Sequence, residues 1–254
     1  MKTEIRDLLE EKYDEYNRPG FIVDDPISIP HQFDNQQDRE ISGFFSAVLA
    51  WGQRKTIIRN AERLMDLMGR EPYQFILHHT SEDLLPLEGF VHRAFQSTDL
   101  LYFIRFLKNH YSTNNSLETA FLKGETMQEK LTQFEKYFFS LTDYPSRTRK
   151  HISSPARNSS CKRLNMFLRW MVRKDERGVD FGMWKKISPT VLICPLDVHT
   201  GRISRLLKIL NRRQDDWKAA CELTGQLRTL DARDPVRFDY ALFGLGLELR
   251  RKLV

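Results

Sequence analysis

The sequence predicts an all-α fold, and three observations carry that prediction. Apolar residues repeat at intervals of three and four in one stretch after another, each drawing a stripe down a helix. No comparable stretch alternates polar and apolar with period two, the mark of a half-buried strand. Turn chemistry falls between the stripes, at Arg18-Pro19-Gly20, Asp25-Pro26, Gly69 to Pro72, Thr113-Asn114-Asn115, Ser153-Ser154-Pro155 and Asp234-Pro235.

From the N-terminal end, the first forty residues are rich in acids (Glu4, Asp7, Glu10, Glu11, Asp14, Glu15, Asp24, Asp25, Asp34, Asp38, Glu40). Residues 21–38 contain Pro26 and Pro30 and few apolar repeats, so they predict an irregular crossing segment. Ile57, Ala61, Leu64, Met65 and Met68 form one stripe, and Leu100, Phe103, Ile104 and Leu107 form another. Leu164, Phe167, Leu168 and Met171 follow, then Ile203, Leu206, Leu207 and Leu210, and finally Phe238, Ala241, Leu242, Leu245 and Leu249. Met166, Trp170 and Trp184 are expected in the core and not on a base-stacking platform.

A chain of 254 residues that is 41% apolar can bury a substantial core, in one large domain or two small ones. No apolar run approaches the roughly 20 residues that span a bilayer. The charged start (Glu4, Arg6, Asp7) has no apolar signal core, so no membrane is expected. Cys161, Cys194 and Cys221 are scattered and odd in number, which predicts free thiols in a reducing compartment, the cytoplasm. His78-His79 is not a metal spacing, and no His/Cys/Asp cluster suits zinc. No glycine-rich phosphate loop follows a strand, which argues against a nucleoside-triphosphate enzyme. No metal and no cofactor are expected.

The net charge of +6 is modest, but it is unevenly spread. Between Arg147 and Lys174 lie Arg147, Arg149, Lys150, Arg157, Lys162, Arg163, Arg169, Arg173 and Lys174, with His151 and no carboxylate. Such a window is either a solvated helix face or a surface for a polyanion. The interleaved Asn158, Asn165, Trp170 and serines favour nucleic acid, with Arg157, Arg163 and Arg169 expected to face phosphates.

Two residues stand out chemically. Asp197 follows the apolar approach Val191-Leu192-Ile193 and Pro195, and a striped helix follows it. It can be a plain N-cap or an anion fixed in place to stabilise a developing cation. Lys162 opens an amphipathic helix, where a lysine opposes the helix dipole, among Arg157 and Arg163. Cationic neighbours attract phosphate and also ease loss of the amine's proton. Lys162 is therefore either a phosphate contact or a nucleophilic amine.

These segments resemble the helix-hairpin-helix DNA glycosylases. Phe45 to Thr56, containing Gln53, Arg54 and Lys55 and running into Asn60-Ala61 and Leu64, is similar to that family's early helix pair. Lys162 resembles the lysine of its bifunctional members, and Asp197, followed by His199 and Arg202, resembles its catalytic aspartate. Phe238-Asp239-Tyr240-Ala241-Leu242-Phe243-Gly244-Leu245-Gly246 is similar to the closing helix of its catalytic core. The usual glycine-rich hairpin is absent, and Ser153 to Ser160 stands in its place. The 35 positions separating Lys162 from Asp197 resemble the archaeal 8-oxoguanine branch. The chain also resembles a bacterial family of conserved proteins without an assigned activity.

The resemblance implies a single glycosylase-like unit over 1–254, with two helical lobes, 1–40 plus 175–254 and 41–174, and a central cleft. It implies a monomer that excises a damaged base, an oxidised purine among the candidates, flipped from double-stranded DNA, followed by strand nicking. Lys162 and Asp197 would be catalytic. Gln53 would fill the space of the flipped base or probe its partner. Arg54, Lys55, Lys150, Arg157, Asn158, Ser160, Arg163, His199 and Arg202 would bind DNA. The alternative is a helical DNA-binding protein that keeps the fold without the chemistry.

Overall fold

The computed structural model describes residues 3–251, with side chains to Leu249. Helices dominate: α1 (Thr3–Tyr16), α2 (Gln36–Leu49), α3 (Arg54–Leu67), α4 (Pro72–His78), α5 (Ser81–Leu84), α6 (Ser97–Tyr111), α7 (Met127–Phe138), α8 (Lys162–Val172), α9 (Val198–Leu206), α10 (Trp217–Arg228) and α11 (Asp239–Arg251). None of the described helices is long and apolar enough to cross a membrane. The expected crossing segment is a chain of short 3₁₀ turns at Pro19–Asp24, Pro26–Ser28 and Pro30–Gln32. Proline sets φ for the start of each turn, and the Asp25 carboxylate accepts from the Ile27 N–H at 3.1 Å.

The expectation of no strand is corrected by one small hairpin, β1 (Val91–His92) against β2 (Phe95–Gln96), paired antiparallel with His92 opposite Phe95. Two residues a side are too few to register as a period-two pattern. Its turn holds Arg93 in the left-handed region, φ 56°.

The chain divides into two compact units. One runs to Phe21, takes in Thr126–Gln128, and resumes at Ser154; the other is Ile22–Glu125 with Glu129–Ser153. The boundaries therefore fall near 22 and 154, where 41 and 175 were expected. The reason is local: α8 shares its buried groups with α11, so it belongs with the terminal helices.

The Ile22–Ser153 unit is built on aromatics. Phe44, Phe45, Phe103, Phe106, Phe134 and Phe138 are all fully buried, with Phe106 and Phe138 centroids 4.4 Å apart and Phe121 stacked on Phe134 at 4.0 Å. Such pairs add about 0.5–1.5 kcal/mol each beyond their area. Within this core Glu40 is fully buried. Its carboxylate accepts from the Tyr111 hydroxyl (2.8 Å), the Ser116 hydroxyl (2.6 Å), the Leu117 N–H (2.8 Å) and the Gln36 amide (2.9 Å). Neutral donors on all sides replace the water it has lost.

In the other unit α1 packs along α11, with Tyr13 edge-on to Phe238 and Tyr240, both at 6.5 Å. Gly244 permits this approach, because a Cβ there would lie 2.1 Å from the Tyr16 ring. The predicted core positions Met166, Trp170 and Trp184 are buried. The stripe from Ile203 to Leu210 fails at one point. Lys208 adopts φ 58°, α9 stops at Leu206, and Leu206 is left 62% exposed.

The centre of this unit is ionic. Arg173, 1% exposed, donates to Asp234 (2.8 Å), Asp180 (2.9 Å), Asp175 (2.8 Å) and the Tyr13 hydroxyl (2.8 Å). Removing a buried ion's counter-charge is far more damaging than removing a surface ion. Arg173→Met should therefore lower stability by about 3–5 kcal/mol, read as the shift of the urea unfolding midpoint.

Candidate active site around Lys162 and Asp197

The segment before α8 is shaped by its own side chains. Ser154 accepts from the Ala156 N–H (3.3 Å), and Pro155–Arg157 makes a 3₁₀ turn. Asn158 follows in the left-handed region, φ 56°, a conformation Asn tolerates better than most residues. Cys161 repeats it at the N-cap of α8, φ 52°, and supplies no capping hydrogen bond.

Three side-chain donors help to fix this segment in its unit. The Asn158 amide donates to the Asp216 carboxylate at 3.0 Å, Asp216 being the N-cap of α10. The Ser160 hydroxyl donates to the Leu196 carbonyl at 3.0 Å, immediately before Asp197, and the Asn165 amide donates to the Ser160 carbonyl at 3.0 Å. The start of α8 and the start of α9 are thereby held side by side. Lys162, first residue of α8, brings Nζ to 3.8 Å from Asp197 Oδ2.

Asp197 is also the N-cap of α9. Its Oδ1 accepts from the His199 N–H (2.9 Å) and the Thr200 N–H (3.0 Å), leaving Oδ2 toward the lysine. Burial works against its ionised form. The Lys162 ammonium and the two N–H donors outweigh burial and hold the carboxyl below the usual carboxylate range.

The same unit holds a second carboxylate in the opposite condition. Asp239, first residue of α11, is 7% exposed. One oxygen takes the Arg169 guanidinium and the other lies 4.0 Å from the buried Cys194 thiol. Here burial prevails over the charges of Arg169 and Lys162, and pushes the carboxyl up to about 6.

The remaining residues of the expected site are distributed as follows. Arg157, His199 and Arg202 are exposed, and Arg163 is half-buried. Packing around Arg163 pushes its guanidinium down to about 10, still fully charged at neutral pH. The Asn158 and Ser160 side chains are engaged in the internal bonds given above. Gln53 is the exposed N-cap of α3, beside exposed Lys55 and half-buried Arg54; these and exposed Lys150 belong to the other unit.

The expectation that Arg169 faces phosphates is corrected. Arg169 is 4% exposed and pairs with Asp180 and Asp239, and Arg173 is buried among acids. In the other unit Arg147 lies 3.3 Å from Asp99 and donates to the Ala94 carbonyl, while His151 is buried 3.3 Å from the same Asp99. The acids that neutralise these cations come from outside the window, so reading the window alone overcounts its free charge. Asp239 was read only as part of a helix motif. The signal available was an acid at the head of an otherwise apolar stripe, and for its partner Arg169 a second arginine four residues on, at the C-cap of α8.

Replacing Asp197 by Ala removes the cap and should cost about 1 kcal/mol. Asn keeps the cap and removes only the charge. Because the folded carboxyl is held low, the charge contributes stability above the ordinary Asp range and loses it as pH falls through the folded value. The wild-type advantage over Asp197→Asn in urea unfolding should thus be present at pH 7 and vanish on acidification below about 4.

No curated protein and no solved structure matches the chain. A family described as a protein of unknown function, DUF2400, matches residues 25–248, which takes in every element from α2 to most of α11 and leaves α1 outside. The lysine, both carboxylates and the loop that holds them together all lie within that match, and the chain belongs to the DUF2400 family.

Proposed function

We propose that this chain is a DNA base-excision glycosylase with an associated lyase step, built on a glycosylase-like arrangement of its helices. The observation that carries it is the convergence of Lys162 and Asp197 at 3.8 Å, from positions 35 residues apart that the sequence singled out for separate reasons. Stability alone is a poor reason for this pair. A half-exposed ion pair contributes about 0–1 kcal/mol, and a lysine at a helix start opposes the dipole. Asp197, by contrast, is supplied with donors that keep it anionic beside an amine.

In this proposal the damaged nucleotide leaves the stack, because its sugar cannot otherwise be reached. The neutral Lys162 amine attacks C1′, and the bond from C1′ to the base breaks with its electron pair leaving on the base, which takes up a proton. The adduct nitrogen loses a proton, and its electron pair then expels O4′, which is protonated as the C1′–O4′ bond breaks and the ring opens to the Schiff base. Asp197 offsets the positive charge that develops on the sugar. β-Elimination then nicks the strand. Gln53 fills the space of the flipped base or probes its partner. Arg54, Lys55, Lys150, Arg157, Arg163, His199 and Arg202 meet the backbone, while Asn158 and Ser160 hold the lysine loop in shape. The substrate is double-stranded DNA, with an oxidised purine as the favoured lesion class, and the protein acts as a monomer in the cytoplasm.

Borohydride trapping on a panel of lesion-bearing duplexes tests this. Wild type should give a covalent complex, Lys162→Gln should give none while keeping its DNA affinity, and Asp197→Asn should slow base release by a factor of about 10² or more. If no lesion duplex is trapped by wild type, the chain is a non-catalytic DNA-binding protein.

Binding to intact duplex separates that outcome from the absence of any nucleic-acid role. Phosphate contacts make affinity fall steeply with salt. Neutralising Lys150, Arg157 and Arg163 together should weaken binding and reduce the slope of log affinity against log salt by about 2–3. An unchanged affinity and slope would remove the nucleic-acid face.

A further inference from the structure

The Ile22–Ser153 unit contains a cavity of about 500 Å³ that the chemistry of Lys162 does not use. It is lined from the last turn of α6, the 3₁₀ turn Leu117–Phe121 and α7. That space is on the order of fifteen water volumes, which suits a small organic molecule better than a bare ion.

The charge of the cavity is one-sided. Lys123, from the loop before α7, and Lys136, from α7 itself, both line it, and no carboxylate does. Both lysines are exposed, and among the described residues neither has a hydrogen-bond or ion-pair partner. Lys130 behaves otherwise: its ammonium donates to the Leu122 carbonyl (3.2 Å) and the Gly124 carbonyl (2.5 Å) and closes the loop between them. Gly124, at φ 113°, lets that loop pack on α7, because a Cβ there would lie 2.6 Å from Glu129 Cβ. The backbone that carries Lys123 is therefore fixed without help from Lys123 itself.

The rest of the lining is neutral and polar, and its one aliphatic side chain is Ala120. His110 is 1% exposed, and its Nε2 lies 3.0 Å from the Ser116 carbonyl. A carbonyl only accepts, so Nε2 carries the hydrogen. Burial pushes the imidazole down and the Tyr137 phenol up, so both are neutral at pH 7. His110 Nδ1 is then the acceptor for the Tyr137 hydroxyl, 3.0 Å away. The tyrosine proton is committed to the histidine, and the phenolic oxygen keeps its lone pairs for a donor in the cavity. The Asn114 amide donates to the His110 carbonyl at 3.1 Å and its oxygen accepts from Thr119 at 3.0 Å, which holds this wall in shape. Gln133 shares a face of α7 with Lys136 and Tyr137, at spacings of three and four. Among the described residues its amide has no partner.

We propose that this cavity binds a small sugar phosphate, the phosphate taken by Lys123 and Lys136 and the sugar hydroxyls by Gln133 and the Tyr137 oxygen. A phosphate monoester carries close to two negative charges at neutral pH, which matches two ammoniums, whereas a carboxylate would leave one of them unanswered. Compact ammoniums suit phosphate oxygens, which need no bidentate fork. A hydroxylated body suits a wall that offers one free acceptor and one free amide and almost no aliphatic surface. The site lies in the other unit from Lys162, so it stands apart from the glycosylase reading.

NMR titration of the full chain with ribose 5-phosphate, ribose and inorganic phosphate tests this. Ribose 5-phosphate should bind at about 1 mM or tighter and shift the amides of Lys123, Gln133 and Lys136. Ribose alone should not bind, and inorganic phosphate should bind at least about tenfold more weakly. Lys123→Gln and Lys136→Gln replace exposed side chains, so the urea midpoint should stay in place while each variant loses about tenfold or more in affinity. Gln133→Ala should narrow the preference for ribose 5-phosphate and leave inorganic phosphate binding unchanged. Neutralising Lys150, Arg157 and Arg163 should leave sugar phosphate binding intact, and the two cavity lysine variants should leave duplex affinity intact. Failure here and failure of the glycosylase reading are therefore separate results.

Three results would overturn the proposal. The first is no binding of ribose 5-phosphate at about 10 mM. The second is equal affinity for inorganic phosphate, which would mean attraction to charge without a fitted cavity. The third is displacement of the sugar phosphate by intact duplex, which would assign the two lysines to a nucleic-acid backbone.

Discussion

Two arginines one helical turn apart organise the unit that carries the lysine. Arg169 on α8 and Arg173 at its C-cap are both buried and between them hold Asp175, Asp180, Asp234 and Asp239. Those acids belong to the loop after α8, to the turn before α11 and to the first residue of α11. The loop after α8, the turn before α11 and α11 itself are thus tied to one helix, and Tyr13 adds α1 through its hydroxyl. Four carboxylates face two guanidiniums, so the cluster carries more negative than positive charge in a place with little water. That excess is expressed in Asp234 and Asp239, both pushed up from the usual range by burial, whereas Asp175, beside the Arg173 charge and bonded to Asn17, is held down. The same helix presents Lys162 at its start. The geometry of the amine is therefore inherited from the ion cluster beneath it.

Two carboxylates of this unit show how little sequence is needed to give one residue type two behaviours. Asp197 and Asp239 each stand at the start of a helix in the same unit, and Lys162 pairs with the first at 3.8 Å. The difference is solvation: Asp197 has two N–H donors and partial access to water, while Asp239 has an arginine on one side and a thiol on the other. Hydrogen bonds to the ionised form win in the first case, and burial wins in the second. Cys194 sharpens the contrast, since its own thiol is pushed well up by the same burial and the adjacent Asp239 charge.

Much of the helical scaffold was legible because helical burial leaves a period in the sequence. The stripes at Ile57–Met68, Leu100–Leu107 and Leu164–Met171 are buried where the pattern put them. Asp197 was legible as a cap because a short acceptor before a striped helix has few other uses, and Lys162 because it sits where helix energetics disfavour it. The hairpin at Val91–Gln96 was invisible, being shorter than any strand pattern. The end of α9 was misjudged because a left-handed Lys208 leaves no mark in residue type. The interior arginines were the largest gap. A cation in a basic window looks solvated until the fold brings acids from Asp180, Asp234 and Asp239 against it, and no local pattern records that meeting.

The two units differ in what fills them. The Ile22–Ser153 unit buries stacked phenylalanines and a carboxylate satisfied by neutral donors, while the unit of Lys162 buries paired charges. These respond differently to warming. Hydration of ions weakens as temperature rises, so the penalty for keeping charges dry shrinks with heat, whereas apolar stabilisation levels off. The half of the molecule that holds the amine and both carboxylates is thus secured by contacts that lose less on heating than its neighbour's. A chain assembled in this way would yield first in its aromatic half, leaving the half with the buried arginines as the last to loosen.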